Sequence, residues 1–165
     1  VRFKESVVYY DCGWSNYYPS DNYPFMYKCR SANSSIIKYR YADVLLLKAE
    51  ALIMQDTPDL EGAADIIDEV RDRAKLGALS SSTRSNKDAL LNALLKERRL
   101  ELAFEGQRWF DLVRLDKVEE VMNAVHAKDS GRKAQVYTYD KNSYRLPIPQ
   151  SVIDANDKIH QNPGY

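Results

Sequence analysis

Two stretches in the middle of the chain repeat their apolar residues at the spacing of an amphipathic helix. The first begins near residue 37 or 41 and ends at residue 55. Its apolar positions are Ala42, Leu45, Leu46, Ala49, Leu52 and Ile53. The second spans residues 60–76. Its apolar positions are Leu60, Ala63, Ala64, Ile67, Val70 and Ala74. Such spacing puts the apolar side chains on one side of each helix. Because only a short break at Pro58 separates the stretches, the sequence predicts an antiparallel helical hairpin.

The segment Leu94–Leu115 concentrates charged residues on a predicted long helix that only Gly106 interrupts. Glu97, Glu101 and Glu105 recur every fourth residue, which places their carboxylates along one stripe. Glycosidases hold paired carboxylates across a cleft, and di-metal bundles carry a Glu-x-x-His motif that is missing from this sequence. We therefore interpret the stripe as a structural ion-pair network. We expect it to hold the helical core to the N-terminal segment or to the C-terminal tail.

Residues 1–35 differ from the rest of the chain because they are rich in aromatic residues and in turn formers. Val7–Tyr10 favours a short strand. The Gly, Pro, Ser, Asn and Asp residues that follow predict an ordered loop. An exposed aromatic ring stacks on the face of a sugar, while Asn and Asp side chains bond its hydroxyls. The candidate ligand-binding residues are Trp14, Tyr17, Tyr18 and Tyr23. The alternative is that these rings fill the gap between the loop and the helices.

Residues 134–165 are predicted to form a small β-hairpin and a tail. Asp140–Ser143 has the composition of a turn between two short aromatic stretches. Together with a helical core over 36–127, this predicts a single mainly α domain over residues 1–165. It would contain TPR-like helical hairpins, an irregular aromatic-rich N-terminal segment and the small hairpin. The third helix starts about 46 residues after the first, where a tetratricopeptide array needs roughly 34, so no tandem repeat is predicted.

Composition and charge exclude several classes of function. Lys and Arg number 24, as do Asp and Glu, so the net side-chain charge is zero and a nucleic-acid partner is not expected. No apolar stretch approaches the roughly 20 residues that span a bilayer. The two histidines, His126 and His160, stand far apart, and no nucleophile motif or glycine-rich phosphate loop accompanies them. The sequence therefore predicts no enzyme, no metal site and no cofactor.

Cys12 and Cys29 are the two cysteines of the chain. A zinc site needs about four ligands, and no histidine lies near them in sequence. They would form a disulfide if the protein is exported and the fold brings them together. Two separate thiols are the alternative.

Four stretches of the chain resemble, in order, the SusD/RagB family of outer-membrane nutrient-binding lipoproteins. They are YRYADVLLLKAEALI (39–53), AADIIDEVRDRAKLG (63–77), ERRLELAFEGQRWFDLVRL (97–115) and LPIPQSVIDANDKIHQNPGY (146–165). The opening RFKESVVYY is also similar to a strand-like stretch upstream of them. Four ordered matches are more specific than any single motif, although Cys12 and Cys29 are not part of the family pattern.

The resemblance implies a protein that binds polysaccharide or oligosaccharide at the cell surface without chemistry. The glycan would be delivered to a TonB-dependent outer-membrane transporter of the SusC type. Localisation would be the surface-exposed side of the outer membrane, through a lipid anchor outside this sequence. We expect the chain to be the C-terminal fragment of a longer protein, because Val1 does not resemble a natural start.

Two other functions remain open from the sequence. A helical scaffold could bind a peptide or protein in its groove. Alternatively, the chain could be a structural fragment whose ligand site lies in a missing N-terminal half.

Overall fold

Helices account for more than half of the residues that the structure describes. The computed structural model describes residues 2–11, 23–28, 37–128 and 138–165. Its α-helices are α1 (Arg2–Ser6), α2 (Tyr41–Met54), α3 (Leu60–Arg73), α4 (Ser81–Arg84), α5 (Lys87–Glu101), α6 (Arg108–Arg114), α7 (Val118–Lys128) and α8 (Gln150–Asp154). The strands β1 (Val7–Tyr10) and β2 (Tyr23–Met26) form a small antiparallel sheet. The predicted mainly α fold class is confirmed.

The chain divides into two compact units, residues 1–108 and 109–165. In the first unit, the core lies where α2, α3 and α5 pack together. Its buried members are Leu46, Ala49, Ile53, Ala63, Ala64, Ile67, Val70, Leu90 and Leu94. Burying one leucine or isoleucine side chain contributes about 1.5–3 kcal/mol, while the alanines let the helices approach closely. The apolar faces predicted for α2 and α3 are therefore the faces that form the core. The prediction that residues 1–165 are a single domain stays a prediction.

The predicted long helix over Leu94–Leu115 is wrong, because the chain breaks between α5 and α6. Phe104 and Gly106 both adopt left-handed backbone conformations, with φ of 66° and 79°. Neither residue can continue a right-handed helix in that conformation. At the end of α5, Lys28 Nζ and Arg40 Nη2 donate to the carbonyl oxygen of Glu101, at 2.8 and 2.5 Å. As donors to this carbonyl, these side chains thus take the place of the backbone N–H groups of a further helical turn.

The small sheet lies in the N-terminal segment. Val7 pairs with Met26 and Tyr10 pairs with Tyr23, so the predicted strand at Val7–Tyr10 forms. The hairpin predicted near the C-terminus is wrong in its described part. Lys141–Tyr144 forms a 3-10 helix, and no strand occurs within residues 138–165.

The 3-10 helix forms because Asp140 caps it. The Asp140 side chain accepts hydrogen bonds from the backbone N–H groups of Asn142 and Ser143, and the Ser143 hydroxyl accepts from the N–H of Asp140. A capping box of this kind starts a helical turn. The turn formers at Asp140–Ser143 therefore produce a capped helical turn in place of a strand-to-strand reversal.

In the second unit, amide side chains hold the irregular tail. Gln161 Oε1 accepts from the N–H of Ile148 at 2.8 Å, and Gln161 Nε2 donates to the Ile148 carbonyl at 2.9 Å. Asn123 makes the same two bonds to the backbone of Tyr139. Such paired bonds satisfy backbone groups that have no strand partner.

Candidate functional site

The glutamate stripe, with Glu97 and Glu101 on α5 and Glu105 just after it, binds cations from several parts of the first unit. Glu97 Oε1 lies 2.7 Å from Arg2 Nη2, and Glu97 Oε2 lies 3.4 Å from Arg71 Nη1. The Glu97 side chain is almost fully buried. Because a buried carboxylate needs compensating positive charge, these contacts tie α1 and α3 to α5.

Glu101, one helical turn after Glu97, and Glu105, just beyond the end of α5, belong to the same ion-pair network. Glu101 is surrounded by three guanidinium groups, Arg40 at 2.6 Å, Arg2 at 3.1 Å and Arg73. Glu105 binds Arg40 at 2.8 Å and the ammonium of Lys28. Arg2 and Lys28 flank the small sheet in the chain. The predicted structural network is therefore present, and it joins the N-terminal segment to the helical core.

The charges around the stripe keep both carboxylates ionised. Burial by itself would raise the pKa of Glu101, but the hydrogen bond from Arg40 and the charges of Arg40, Arg2 and Arg73 outweigh burial and lower it. Burial also opposes ionisation of Glu105, and bonds from Arg40 and Lys28 again lower its pKa below the ordinary value. Carboxylates held this firmly ionised are suited to structural pairing and poorly suited to general acid catalysis.

Aromatic rings gather on one face of the two-stranded sheet. The Tyr10 and Phe25 rings lie 5.6 Å apart in an edge-to-face arrangement, and the Tyr23 and Phe25 rings lie 5.0 Å apart. Tyr10 is 53% exposed, whereas Tyr23 and Phe25 are half-buried. Edge-to-face and tilted pairs of this kind stabilise an aromatic cluster by about 0.5–1.5 kcal/mol each. We call Tyr10, Tyr23 and Phe25 the aromatic sheet face.

One of the four predicted ligand-binding residues belongs to this face. Tyr23 begins β2, where it pairs with Tyr10. Trp14, Tyr17 and Tyr18 lie outside the described residues, so their role stays a prediction. Residues 12–22 are nevertheless the stretch of chain that links β1 to β2. The same holds for Cys12 and Cys29, whose pairing is likewise a prediction.

Tyr10 and Phe25 are the members of the aromatic sheet face that are not among the predicted ligand-binding residues. Tyr10 lies at the end of Val7–Tyr10, which was predicted only to form a short strand. The signal that could have found it is the two-residue alternation of a strand, which puts Tyr10 and Val8 on the same side. The partner strand is not identifiable from that signal, because register depends on tertiary pairing.

The part of the chain that the structure describes has neither a metal-binding cluster nor a membrane-spanning helix. Within residues 2–11, 23–28, 37–128 and 138–165, no three His, Cys, Asp or Glu side chains cluster in a way that would hold a metal ion. Over the same ranges, no helix combines the length and apolar character needed to cross a membrane.

Comparison with known proteins assigns the chain to a family. The model of the SusD family matches residues 13–165. The chain belongs to the SusD family. The resemblance drawn from the four ordered stretches is confirmed, and the signature stretch over residues 97–115 is the part that carries the buried glutamate stripe.

Individual SusD-like proteins are similar to this chain over part of their length. The SusD-like protein P38 of Formosa agariphila is 41% identical over 139 residues, which cover 81% of this chain and 25% of P38. The structure of a SusD-like protein from Bacteroides fragilis is 30% identical with a TM-score of 0.60, covering 76% of this chain and 25% of that one. The chain thus spans about a quarter of the length of these relatives.

A third comparison bears on the fold alone. The structure of a SusD superfamily protein from Bacteroides vulgatus has a TM-score of 0.69 at 23% identity. That likeness covers 99% of this chain and 39% of the other. The arrangement of helices described above is therefore an arrangement found in the SusD superfamily.

Proposed function

We propose that this chain is part of a cell-surface protein that binds glycan without altering it chemically. The observation that carries the proposal is the aromatic sheet face of a SusD-family chain, next in sequence to the loop that holds Trp14, Tyr17 and Tyr18. Aromatic rings with one exposed side present a flat apolar surface, and the C–H face of a sugar ring stacks on such a surface. Tyr23 connects the sheet face to the predicted loop residues.

The ion-pair network supports this proposal by giving the sheet a rigid base. Arg2 begins α1, the helix that precedes β1, and Lys28 lies just after β2. Arg2 binds Glu97 on α5, and Lys28 binds Glu105 just beyond the end of α5. A binding surface held in place before the ligand arrives loses less conformational entropy on binding. The two ends of the sheet segment are thus anchored while the linking residues 12–22 are left to provide specificity.

The partner and location that we propose follow from family membership. The glycan is delivered to a TonB-dependent transporter of the SusC type in the outer membrane. The protein is held at the cell surface by a lipid anchor outside this sequence. Its role in nutrient uptake is binding, with no catalytic step.

Affinity electrophoresis tests the glycan proposal. The 165-residue chain is run through gels that contain single polysaccharides, alongside Trp14→Ala, Tyr18→Ala and Tyr23→Ala variants. The matched control is Tyr39→Ala, since Tyr39 is a highly exposed tyrosine outside the aromatic sheet face. We expect one glycan to retard the chain, and at least one of the three variants to lose most of that retardation while the control keeps it.

Two results would contradict the proposal for this chain. If no polysaccharide retards it, this chain does not hold the glycan site. If a glycan retards all variants equally, the aromatic residues are structural and the sugar binds at another surface.

A further inference from the structure

The first unit contains a second candidate binding site, in a cleft between α2 and α3. The cleft has a volume of about 400 Å³. Small-molecule sites in proteins typically occupy about 300–1,000 Å³ and are apolar, with a few polar groups that converge on the ligand. Here the apolar part is formed by Ala42, Leu45 and Val70. The volume of the cleft falls within the range of small-ligand sites.

Four polar or aromatic residues line the same cleft, and one of them, Arg40, is already bound to Glu101 and Glu105. Tyr41 lies one turn before Leu45 on α2 and is 72% exposed. Glu69 and Arg73 lie one turn apart on α3, on either side of Val70. Residues four apart on a helix point the same way, so both charged groups face the cleft.

These polar groups have bonding capacity left for a ligand. Arg73 bonds Glu101 through Nη2, and its Nε and Nη1 make no hydrogen bond to any residue in the described ranges. Glu69 is exposed, and its carboxylate has no hydrogen-bond or ion-pair partner among the residues placed by the structure. Glu69 and Arg73 do not pair with each other, although their spacing would allow it. The cleft therefore offers free donors and free acceptors side by side.

A sugar ring is the ligand that fits this combination. The tyrosine ring offers a stacking surface for the C–H face of a pyranose. A carboxylate accepts from sugar hydroxyls, and a guanidinium donates to them. A phosphate or sulfate fits less well, because Glu101 and Glu105 already balance the charges of Arg40 and Arg73, and Glu69 would repel an anion. The ion pair with Glu101 also fixes Arg73 in place, and rigid helices hold all three side chains.

We propose that the α2–α3 cleft binds one or two sugar residues of a neutral glycan through Tyr41, Glu69 and Arg73. The proposal rests on the glycan-binding function proposed above, and it names a subsite separate from the aromatic sheet face. It assigns particular residues of the helical core to glycan binding, which family membership alone does not do.

A titration followed by ¹⁵N NMR tests the cleft directly. The probes are maltose, cellobiose, N,N′-diacetylchitobiose and methyl galactoside, each added to the 165-residue chain, with triglycine as a peptide probe. We expect at least one sugar to shift the amide signals of Ala42, Leu45 and Val70 in a saturable way. Tyr41→Ala and Glu69→Gln should each weaken that sugar at least tenfold.

Matched variants distinguish the cleft from general surface effects. Tyr39→Ala removes a tyrosine that is 76% exposed and does not line the cleft. Asp72→Asn neutralises an exposed acid on α3 that is likewise not part of the lining. Both should bind the sugar within twofold of the unaltered chain. Equal weakening in these controls would overturn the assignment to Tyr41 and Glu69.

Other outcomes separate this proposal from the proposed function. If a glycan retards the chain in gels through Trp14 or Tyr18 while Tyr41→Ala and Glu69→Gln behave normally, the cleft proposal is overturned and glycan binding stands. Shifts produced by triglycine and by none of the sugars would overturn it in favour of a peptide site. Absence of any shift at the cleft with all probes would also overturn it.

Discussion

Arg98 and Asp43 form an ion pair inside the helical core, with Arg98 Nη1 2.8 Å from Asp43 Oδ1. Their side chains are only 2% and 4% exposed. The pair connects the beginning of α2 to the end of α5, which places it beside the apolar core. Charges in such a position are tolerated because each compensates the other.

Removing one partner of this pair should destabilise the fold strongly. Asp43→Ala removes a carboxylate from the buried Arg98 charge, and loss of one partner of a buried pair typically costs about 3–5 kcal/mol. Urea unfolding followed by circular dichroism measures the change. The comparison is Lys117→Ala, which breaks a more exposed pair with Glu120 and should cost less than about 1 kcal/mol. Equal costs in the two variants would mean that the Arg98–Asp43 pair is open to water.

Stability should depend on the ionisation of Glu101. Its pKa in the folded chain lies below the ordinary value of 4.5, so the folded state favours the charged carboxylate. The resulting stabilisation is complete above pH 4.5 and is lost as the pH falls from 4.5 through the lowered pKa. The free energy of unfolding of Glu101→Gln should therefore differ most from that of the unaltered chain near neutral pH. Unfolding at a series of pH values checks this, and a difference that stays constant down to pH 2 would contradict it.

Gly106 should resist substitution because of its backbone conformation. Its φ of 79° is left-handed, and a Cβ there would meet nothing within 4 Å, so strain in the backbone is the main cost. Gly106→Ala should destabilise the chain by about 1–2 kcal/mol. Gly77 also has open space around it, without a left-handed backbone. Thermal unfolding of Gly77→Ala should show unchanged stability or a gain of up to about 1 kcal/mol. Equal losses in the two variants would rule out the conformational explanation.

Tyr144 and Asp116 should titrate as a linked pair in the second unit. The Tyr144 hydroxyl donates to Asp116 Oδ1 at 2.7 Å, and this bond raises the pKa of Tyr144 to about 12. In Asp116→Asn the pKa of Tyr144 should fall toward its ordinary value of 10.0. Asparagine tolerates the left-handed backbone of this position, where φ is 52°, so the loop should be preserved. NMR of the tyrosine Cζ carbon follows the titration, and an unchanged pKa would contradict the hydrogen bond.

Local patterns were sufficient for the parts of the fold that depend on neighbours in sequence. The apolar faces of α2 and α3 follow from helical spacing, and both face the core. The interpretation of Glu97, Glu101 and Glu105 as ion-paired carboxylates was also correct, although only Glu97 and Glu101 lie on α5 and Glu105 follows the break at Phe104. The resemblance of the four stretches to the family likewise depended only on residue types and their order along the chain.

Other parts of the sequence were compatible with more than one structure. Asp140–Ser143 has turn formers that suit a hairpin as well as a capped 3-10 turn, and side-chain bonds to Asp140 select the turn. The segment between α5 and α6 looked helical apart from one glycine. The left-handed break at Phe104 follows the end of α5, where cations from distant parts of the chain bind. No local sequence pattern identifies those cations.

The sequence by itself determined the family, the helical class and the charge stripe of this protein, since each is a matter of residue type and spacing. Only the tertiary structure decided which cations meet which glutamates. Arg40 reaches Glu101 across 61 positions of the chain, and Lys28 reaches Glu105 across 77. The packing of helices also decided which charged groups have no ion-pair partner among the described residues, such as Glu69 at the α2–α3 cleft. Contacts over such separations depend on how whole elements pack, and spacing along one helix carries no information about them.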